Sequence, residues 1–142
     1  MEKIKILVAE DDVSVQDLYR KALPDKIFES RFVTDGKVAL EVYSEWKPDI
    51  ILLDVYMPGM TGFVVLKEIR ENLADTTTAI IMGTALSKKE DIVQCMKLGI
   101  QGYMVKPFKQ QEVTEKVLEY FAGVNPEKAQ AAQAAQAAQA EL

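Results

Sequence analysis

Short runs rich in apolar residues alternate along this chain with longer segments whose apolar residues recur every three or four positions. The short runs lie at about 4–9, 28–33, 49–53, 78–83 and 102–105, and their length and continuity read as buried strands. The segments between them, at about 14–23, 36–45, 62–73, 88–98 and 110–122, read as amphipathic helices. Val15, Leu18, Tyr19 and Ala22 share one helical face, and Val38, Ala39, Val42 and Tyr43 share another. Connections such as Thr34-Asp35-Gly36 and Lys47-Pro48-Asp49 carry turn-forming residues. From Pro126 onward the pattern stops. The last 17 residues hold eight alanines, with Gln at 130, 133, 136 and 139. Alanine favours helix, but so short an isolated helix is marginal in water, so a frayed, solvated helical tail is expected.

Strict alternation of strand and helix implies a parallel sheet covered on both faces, an α/β architecture. Right-handed crossovers leave few topologies, and the flavodoxin-like order 2-1-3-4-5 is one of them. Open sheets of this kind place their chemistry at the carboxyl ends of the strands. Three strand ends carry matching groups. The first ends in Glu10-Asp11-Asp12 and the third in Asp54, just before the turn Met57-Pro58-Gly59-Met60-Thr61-Gly62. The fifth ends in Lys106-Pro107-Phe108. Two carboxylate sites and a lysine on one sheet edge suggest Mg²⁺-assisted phosphoryl acceptance.

Composition narrows the chemistry. The chain has no histidine, which removes His-based nucleophile schemes and His metal sites. Oxygen-only ligands suit a hard cation such as Mg²⁺. The net charge is −5, whereas proteins that grip a nucleic-acid backbone carry a basic face, so no nucleic-acid partner is expected. No stretch approaches the roughly 20 apolar residues of a membrane span, and no signal-peptide pattern precedes the first strand; neither a membrane partner nor export is expected, and a cytoplasmic location is. The single cysteine, Cys95, rules out an internal disulfide and reads as an ordinary helix thiol.

These residues resemble the receiver domain of two-component response regulators. Val8-Ala9-Glu10-Asp11-Asp12 resembles its acidic motif, and Leu53-Asp54-Val55-Tyr56-Met57-Pro58-Gly59 its phosphoacceptor motif. Met82-Gly83-Thr84-Ala85 resembles its switch segment, and Tyr103-Met104-Val105-Lys106-Pro107-Phe108 its aromatic-to-lysine motif. The resemblance covers about residues 3–122, which implies a receiver domain over 1–124, the 2-1-3-4-5 sheet with five helices, and an Ala/Gln-rich tail over 125–142. It implies that Asp54 takes a phosphoryl group from a sensor histidine kinase or a histidine phosphotransfer protein. It implies Mg²⁺ binding by Glu10, Asp11, the Asp54 carboxylate and the Tyr56 backbone carbonyl. Thr84, the Ala85 amide and Lys106 would hold phosphoryl oxygens, and Thr84 with Tyr103 would form the switch. The Lys106-Pro107 bond resembles one the family keeps cis.

Some positions depart from the family pattern. Glu10 stands for an aspartate and keeps the charge. Thr61 stands where aspartate is frequent, which reads as a surface change. Gly83 stands where a larger apolar residue is usual, and the expected effect is a looser Thr84 segment. Tyr56 and Leu86 would shield an acyl phosphate from water. Other readings fit less well. A flavodoxin-like cofactor binder needs a Ser/Thr/Gly-rich phosphate loop where this chain has Glu10-Asp11-Asp12. A haloacid dehalogenase-like Mg²⁺ phosphatase needs a second aspartate where this chain has Tyr56. A receiver-shaped scaffold that is never phosphorylated would not need the acidic, Asp, Thr and Lys set. The chain is thus expected to be no conventional enzyme, catalysing only its own phosphorylation and slow dephosphorylation. Output is expected through contact of the 88–122 face with a downstream protein or a second copy, with a phosphoryl carrier in a phosphorelay as the alternative.

Overall fold

The computed structural model describes residues 2–85 and 88–140, so Leu86 lies outside the described residues. Five strands form one parallel sheet in the order β2-β1-β3-β4-β5. They are β1 (Ile4–Ala9), β2 (Phe28–Val33), β3 (Ile50–Leu53), β4 (Ala79–Thr84) and β5 (Gly102–Val105). The expected topology is the observed one. The fourth strand ends one residue later than expected, which makes Thr84 a strand residue. Six helices intervene or follow: α1 (Val13–Ala22), α2 (Gly36–Trp46), α3 (Gly62–Lys67), α4 (Lys89–Leu98), α5 (Gln110–Ala122) and α6 (Pro126–Ala140).

The apolar runs of β1, β3 and β4 are continuous because both faces of the sheet are buried there, whereas the edge strands β2 and β5 carry exposed residues. Ile6, Val8, Leu52, Ile81 and Met104 face α1 and α5, while Leu7, Ala9, Leu53 and Met82 face the α2/α3 side, where Cys95 of α4 is also buried. The register Val33↔Ala9↔Leu53↔Met82 aligns the carboxyl ends of β2, β1 and β3, with β4 running two residues further to Thr84, so the ends of these strands share one edge.

Caps set where the helices begin. Asp12 accepts from the N–H groups of Ser14 and Val15 at 2.8 and 3.3 Å, and Asp35 accepts from that of Val38 at 2.9 Å. Thr61 is exposed, as expected of a surface change, and its hydroxyl oxygen also accepts from the Val64 N–H at 3.4 Å to cap α3. The third helix continues as a π-helical turn over Glu68–Asn72. That turn carries Arg70, whose guanidinium donates to the carbonyls of Gly99, Asp75 and Thr78, each at 2.7 Å. One cation thus ties the end of α3 to the starts of β4 and β5.

The tail differs from the expected solvated helix. Ala129 and Ala132 of α6 are fully buried against the α1/α5 side of the core, with Val124 and Ala135 beside them. Asn125 Oδ1 accepts from the Lys128 N–H at 3.1 Å, and Lys128 Nζ pairs with Asp49 at 3.0 Å. Alanine side chains are small enough for α6 to lie close to α5, while Gln130 and Gln133 face water.

Candidate functional site

Asp54 follows the last residue of β3 directly. Its N–H donates to the Ala9 carbonyl at 3.1 Å, which extends the ladder to the site. Glu10 is held in the same way, its N–H donating to Val33 at 3.0 Å. Both carboxylates are buried, Glu10 at 1% and Asp54 at 4% exposure, whereas Asp11 is exposed. Burial of acidic side chains requires partners, and Lys106 supplies the charge. Its Nζ lies 2.5 Å from Glu10 Oε1 and 2.8 Å from Asp54 Oδ2. The Tyr56 N–H donates to Asp54 Oδ1 at 3.2 Å, and the Asp12 N–H to Glu10 Oε2 at 3.1 Å.

The electrostatics follow from this packing. Burial pushes the Glu10 carboxyl above its ordinary range; Lys106 and the Asp12 N–H only partly offset it, and the Asp54 charge adds to it. Burial works against the Lys106 charge, but Asp54 and Glu10 outweigh it, so the ammonium is held above its ordinary value.

Thr84 is buried at the end of β4. Its carbonyl accepts the Lys106 N–H at 2.9 Å, which fixes these two residues side by side. Ala85 is exposed, and so are Tyr56 and the Tyr103 side chain. The Tyr103 carbonyl accepts from the Tyr120 hydroxyl at 3.3 Å. The Lys106-Pro107 peptide is cis. The structure therefore gathers Glu10, Asp11, Asp54 and Lys106 directly, adds Thr84 through the backbone, and leaves the Tyr103 ring outside the cluster, facing solvent.

Two residues near the cluster escaped the sequence reading. Gln16 is buried in α1 and donates to the Glu10 carbonyl at 2.5 Å; a polar residue beside Val15 and Tyr19 was the available signal. Gly62 lies so close to the loop that begins at Asp54 that an added Cβ would come 1.9 Å from the Asp54 carbonyl oxygen. Only glycine fits there, and the turn motif that contains it was the clue.

The donor set fits a hard divalent cation. Oxygen atoms of Glu10, Asp11 and Asp54 all lie within 4.8 Å of one another. Two of these three carboxylates, Glu10 and Asp54, pair with the Lys106 ammonium, and Glu10 Oε1 is buried with no partner beyond that close ion pair.

The model of the response regulator receiver domain matches residues 6–118. This chain belongs to that family. It is 35% identical over 113 residues to the DNA-binding response regulator MtrA of Mycobacterium tuberculosis, covering 80% of this chain and 48% of that protein. The chain spans about half the length of the first curated relatives it matches. Among solved structures it is similar to the chemotaxis response regulator CheY4 of Vibrio cholerae, with a TM-score of 0.75 at 31% identity, covering 84% of this chain and 99% of that one. It is also similar to a chain of the CheX-CheY-BeF3-Mg+2 complex of Borrelia burgdorferi, with a TM-score of 0.76 at 27% identity, covering 83% and 89%. Receiver domains are signalling modules of two-component systems rather than conventional enzymes; they bind Mg²⁺ at an acidic pocket and interact with histidine kinases and downstream targets. No helix among the described residues is long and apolar enough to cross a membrane.

Proposed function

We propose that Asp54 is the phosphoacceptor of this receiver domain and that a kinase or phosphotransfer-protein phosphohistidine is its donor. The observation that carries this reading is the Lys106 ammonium 2.8 Å from Asp54 Oδ2, inside a cluster of three carboxylates. An Asp54 carboxylate oxygen attacks phosphorus. The P–N bond breaks, the electron pair leaves on the donor imidazole, and Asp54 becomes an acyl phosphate. Lys106 shifts its charge from the carboxylate to a phosphoryl oxygen. The Thr84 hydroxyl and the Ala85 N–H donate to the remaining oxygens, so these residues act by positioning and charge stabilisation. Glu10, Asp11, Asp54 and the Tyr56 carbonyl would hold Mg²⁺, which when bound neutralises charge on the carboxylates and the incoming phosphoryl oxygens. Hydrolysis by water then breaks the acyl phosphate and releases inorganic phosphate.

Output passes by protein contact through the 88–122 face, in the cytoplasm, either to a downstream partner or to a second copy; the net charge of −5 supports a protein partner over a nucleic acid. Labelling with acetyl phosphate and Mg²⁺ tests the central step. Wild type should gain an acid-labile phosphoryl group and Asp54→Asn should gain none. Undiminished labelling of Asp54→Asn refutes the assignment.

A further inference from the structure

Gly83 precedes Thr84 on β4 and pairs with Met104 of β5. A Cβ added at Gly83 would lie 2.3 Å from the Tyr19 hydroxyl oxygen and 3.5 Å from Leu52 Cδ1. The expected looseness at Gly83 is therefore not what the structure contains: the space of the missing side chain holds the end of a tyrosine from α1. Tyr19 is 1% exposed. Its ring stacks on Phe108 at 5.5 Å between centroids and 24° between planes. Phe108 lies two residues after Lys106, and the Lys106 N–H is bonded to the Thr84 carbonyl. One buried side chain thus touches the chain beside each of the two residues that are to grip the phosphoryl group.

The two positions are complementary in volume. A tyrosine reaches beneath β4 here only because residue 83 has no side chain. A close-packed interior transmits a change at such a contact instead of absorbing it. Burial, with the charges of Glu10 and Asp54 behind it, pushes the Tyr19 phenol far above its ordinary value, so the group acts as a neutral body in contact and not as a titrating one.

We propose that Tyr19 is a positioning residue: by filling the space at Gly83 and stacking on Phe108, it fixes Thr84 and Lys106 relative to each other and so sets the rate at which Asp54 is phosphorylated. The inference rests on the phosphoacceptor reading of Asp54. It predicts a size exchange, in which a smaller residue at 19 is compensated by a larger one at 83.

The test uses the full chain with acetyl phosphate and Mg²⁺, recording the maximal phosphorylation rate, the half-saturating donor concentration and the urea midpoint. Four variants serve: Tyr19→Phe, Tyr19→Leu, Gly83→Leu, and the Tyr19→Leu/Gly83→Leu double. Displacement of a reacting group by about 1 Å costs up to roughly a hundredfold in rate, so a partial shift in Tyr19→Leu should lower the maximal rate about tenfold with the half-saturating concentration unchanged. Tyr19→Phe keeps the ring stack and loses only the oxygen over Gly83; it should lose about threefold in maximal rate at an unchanged urea midpoint. Gly83→Leu should be slow and less stable. The double variant should recover both the rate and the midpoint, a coupling that independent sites would not show. Wild-type rates in Tyr19→Phe and Tyr19→Leu overturn the inference. So do rate losses that merely follow the fraction of folded protein, or a double variant whose losses simply add. A wild-type chain that takes no label at all overturns the phosphoacceptor reading itself, and this inference with it.

Discussion

Replacing Lys106 by methionine keeps most of the side-chain volume and removes the one ammonium that separates Glu10 from Asp54. The Nζ lies 2.5 and 2.8 Å from their oxygens, and the two carboxylates are 1% and 4% exposed. Removing one partner of a fully buried ion pair costs about 3–5 kcal/mol. Lys106 is 20% exposed and Asp11 opens the cluster to water, so water relieves part of the loss and about 2–3 kcal/mol is expected. At roughly 3 °C per kcal/mol for a chain of this size, the melting temperature should fall by about 6–9 °C. Mg²⁺ should reverse the order of sensitivity. In wild type the cation meets a cluster already holding one positive charge; in Lys106→Met it meets three carboxylates alone. Stabilisation by a bound ion grows with the ratio of its concentration to its dissociation constant, so the variant should gain more from the same Mg²⁺ than wild type does. Thermal melts followed by circular dichroism, with chelator and then with Mg²⁺, measure both effects. A variant as stable as wild type in chelator, or one that gains less from Mg²⁺ than wild type, would refute the ion-pair reasoning.

Gly62→Ala should be costly because its Cβ would come 1.9 Å from the Asp54 carbonyl; a loss of about 1–3 kcal/mol in urea denaturation is expected, with slower labelling of Asp54, and an unchanged midpoint would show that the loop yields freely. Asp75 offers a test by pH: burial raises its carboxyl, but hydrogen bonds from Thr78, Tyr43 and the Thr77 amide outweigh that and hold it well below the usual range. A carboxyl lowered on folding contributes stability above its unfolded value, near 4, and loses it as pH falls, so the advantage of wild type over Asp75→Asn should be full at neutral pH and shrink below about pH 4. A gap that widens on acidification contradicts this sign. Beryllofluoride, as a phosphoryl mimic on Asp54, should change hydrogen exchange across 84–116; change confined to the loops after residues 10 and 54 would favour a phosphoryl carrier over a switch.

The central strands were legible because strands buried on both faces must be apolar throughout, and Ile50-Ile51-Leu52-Leu53 has no other reading in an alternating pattern. The acidic and lysine positions were legible because each follows such a run directly. What escaped detection depends on contacts between distant residues. The docking face of α6 consists of alanines, which leave no amphipathic signature although Ala129 and Ala132 are fully buried. Thr61 reads as a surface residue, and it is one, but only the structure shows its oxygen capping α3. Gly83 reads as a loss of packing until Tyr19, 64 positions earlier, is found in its place. A pattern read along the chain reports burial but not which volume fills which.

The site has two halves held by different means. Glu10 and Asp54 are fixed through backbone bonds to Val33 and Ala9, inside the sheet and between buried strands. They form the half that keeps its shape, which suits a nucleophile and the carboxylates around it. Thr84 and Lys106 lie at the β4/β5 edge, joined to each other by one backbone bond, with Ala85 and the Tyr103 ring open to water. β5 has four residues and a sheet neighbour only on the β4 side. Local opening is cheapest where exposed backbone bonds are many and buried contacts few. A phosphoryl group gripped by both halves would bind differently to each arrangement of the outer one, and that difference is what can shift a population. Tyr19 reaches the outer half from α1, on the buried side. That edge is thus in contact from beneath at Gly83 and Phe108, and if it moves as proposed, the stiffness of this contact would set how far a charge on Asp54 is felt at the 88–122 face.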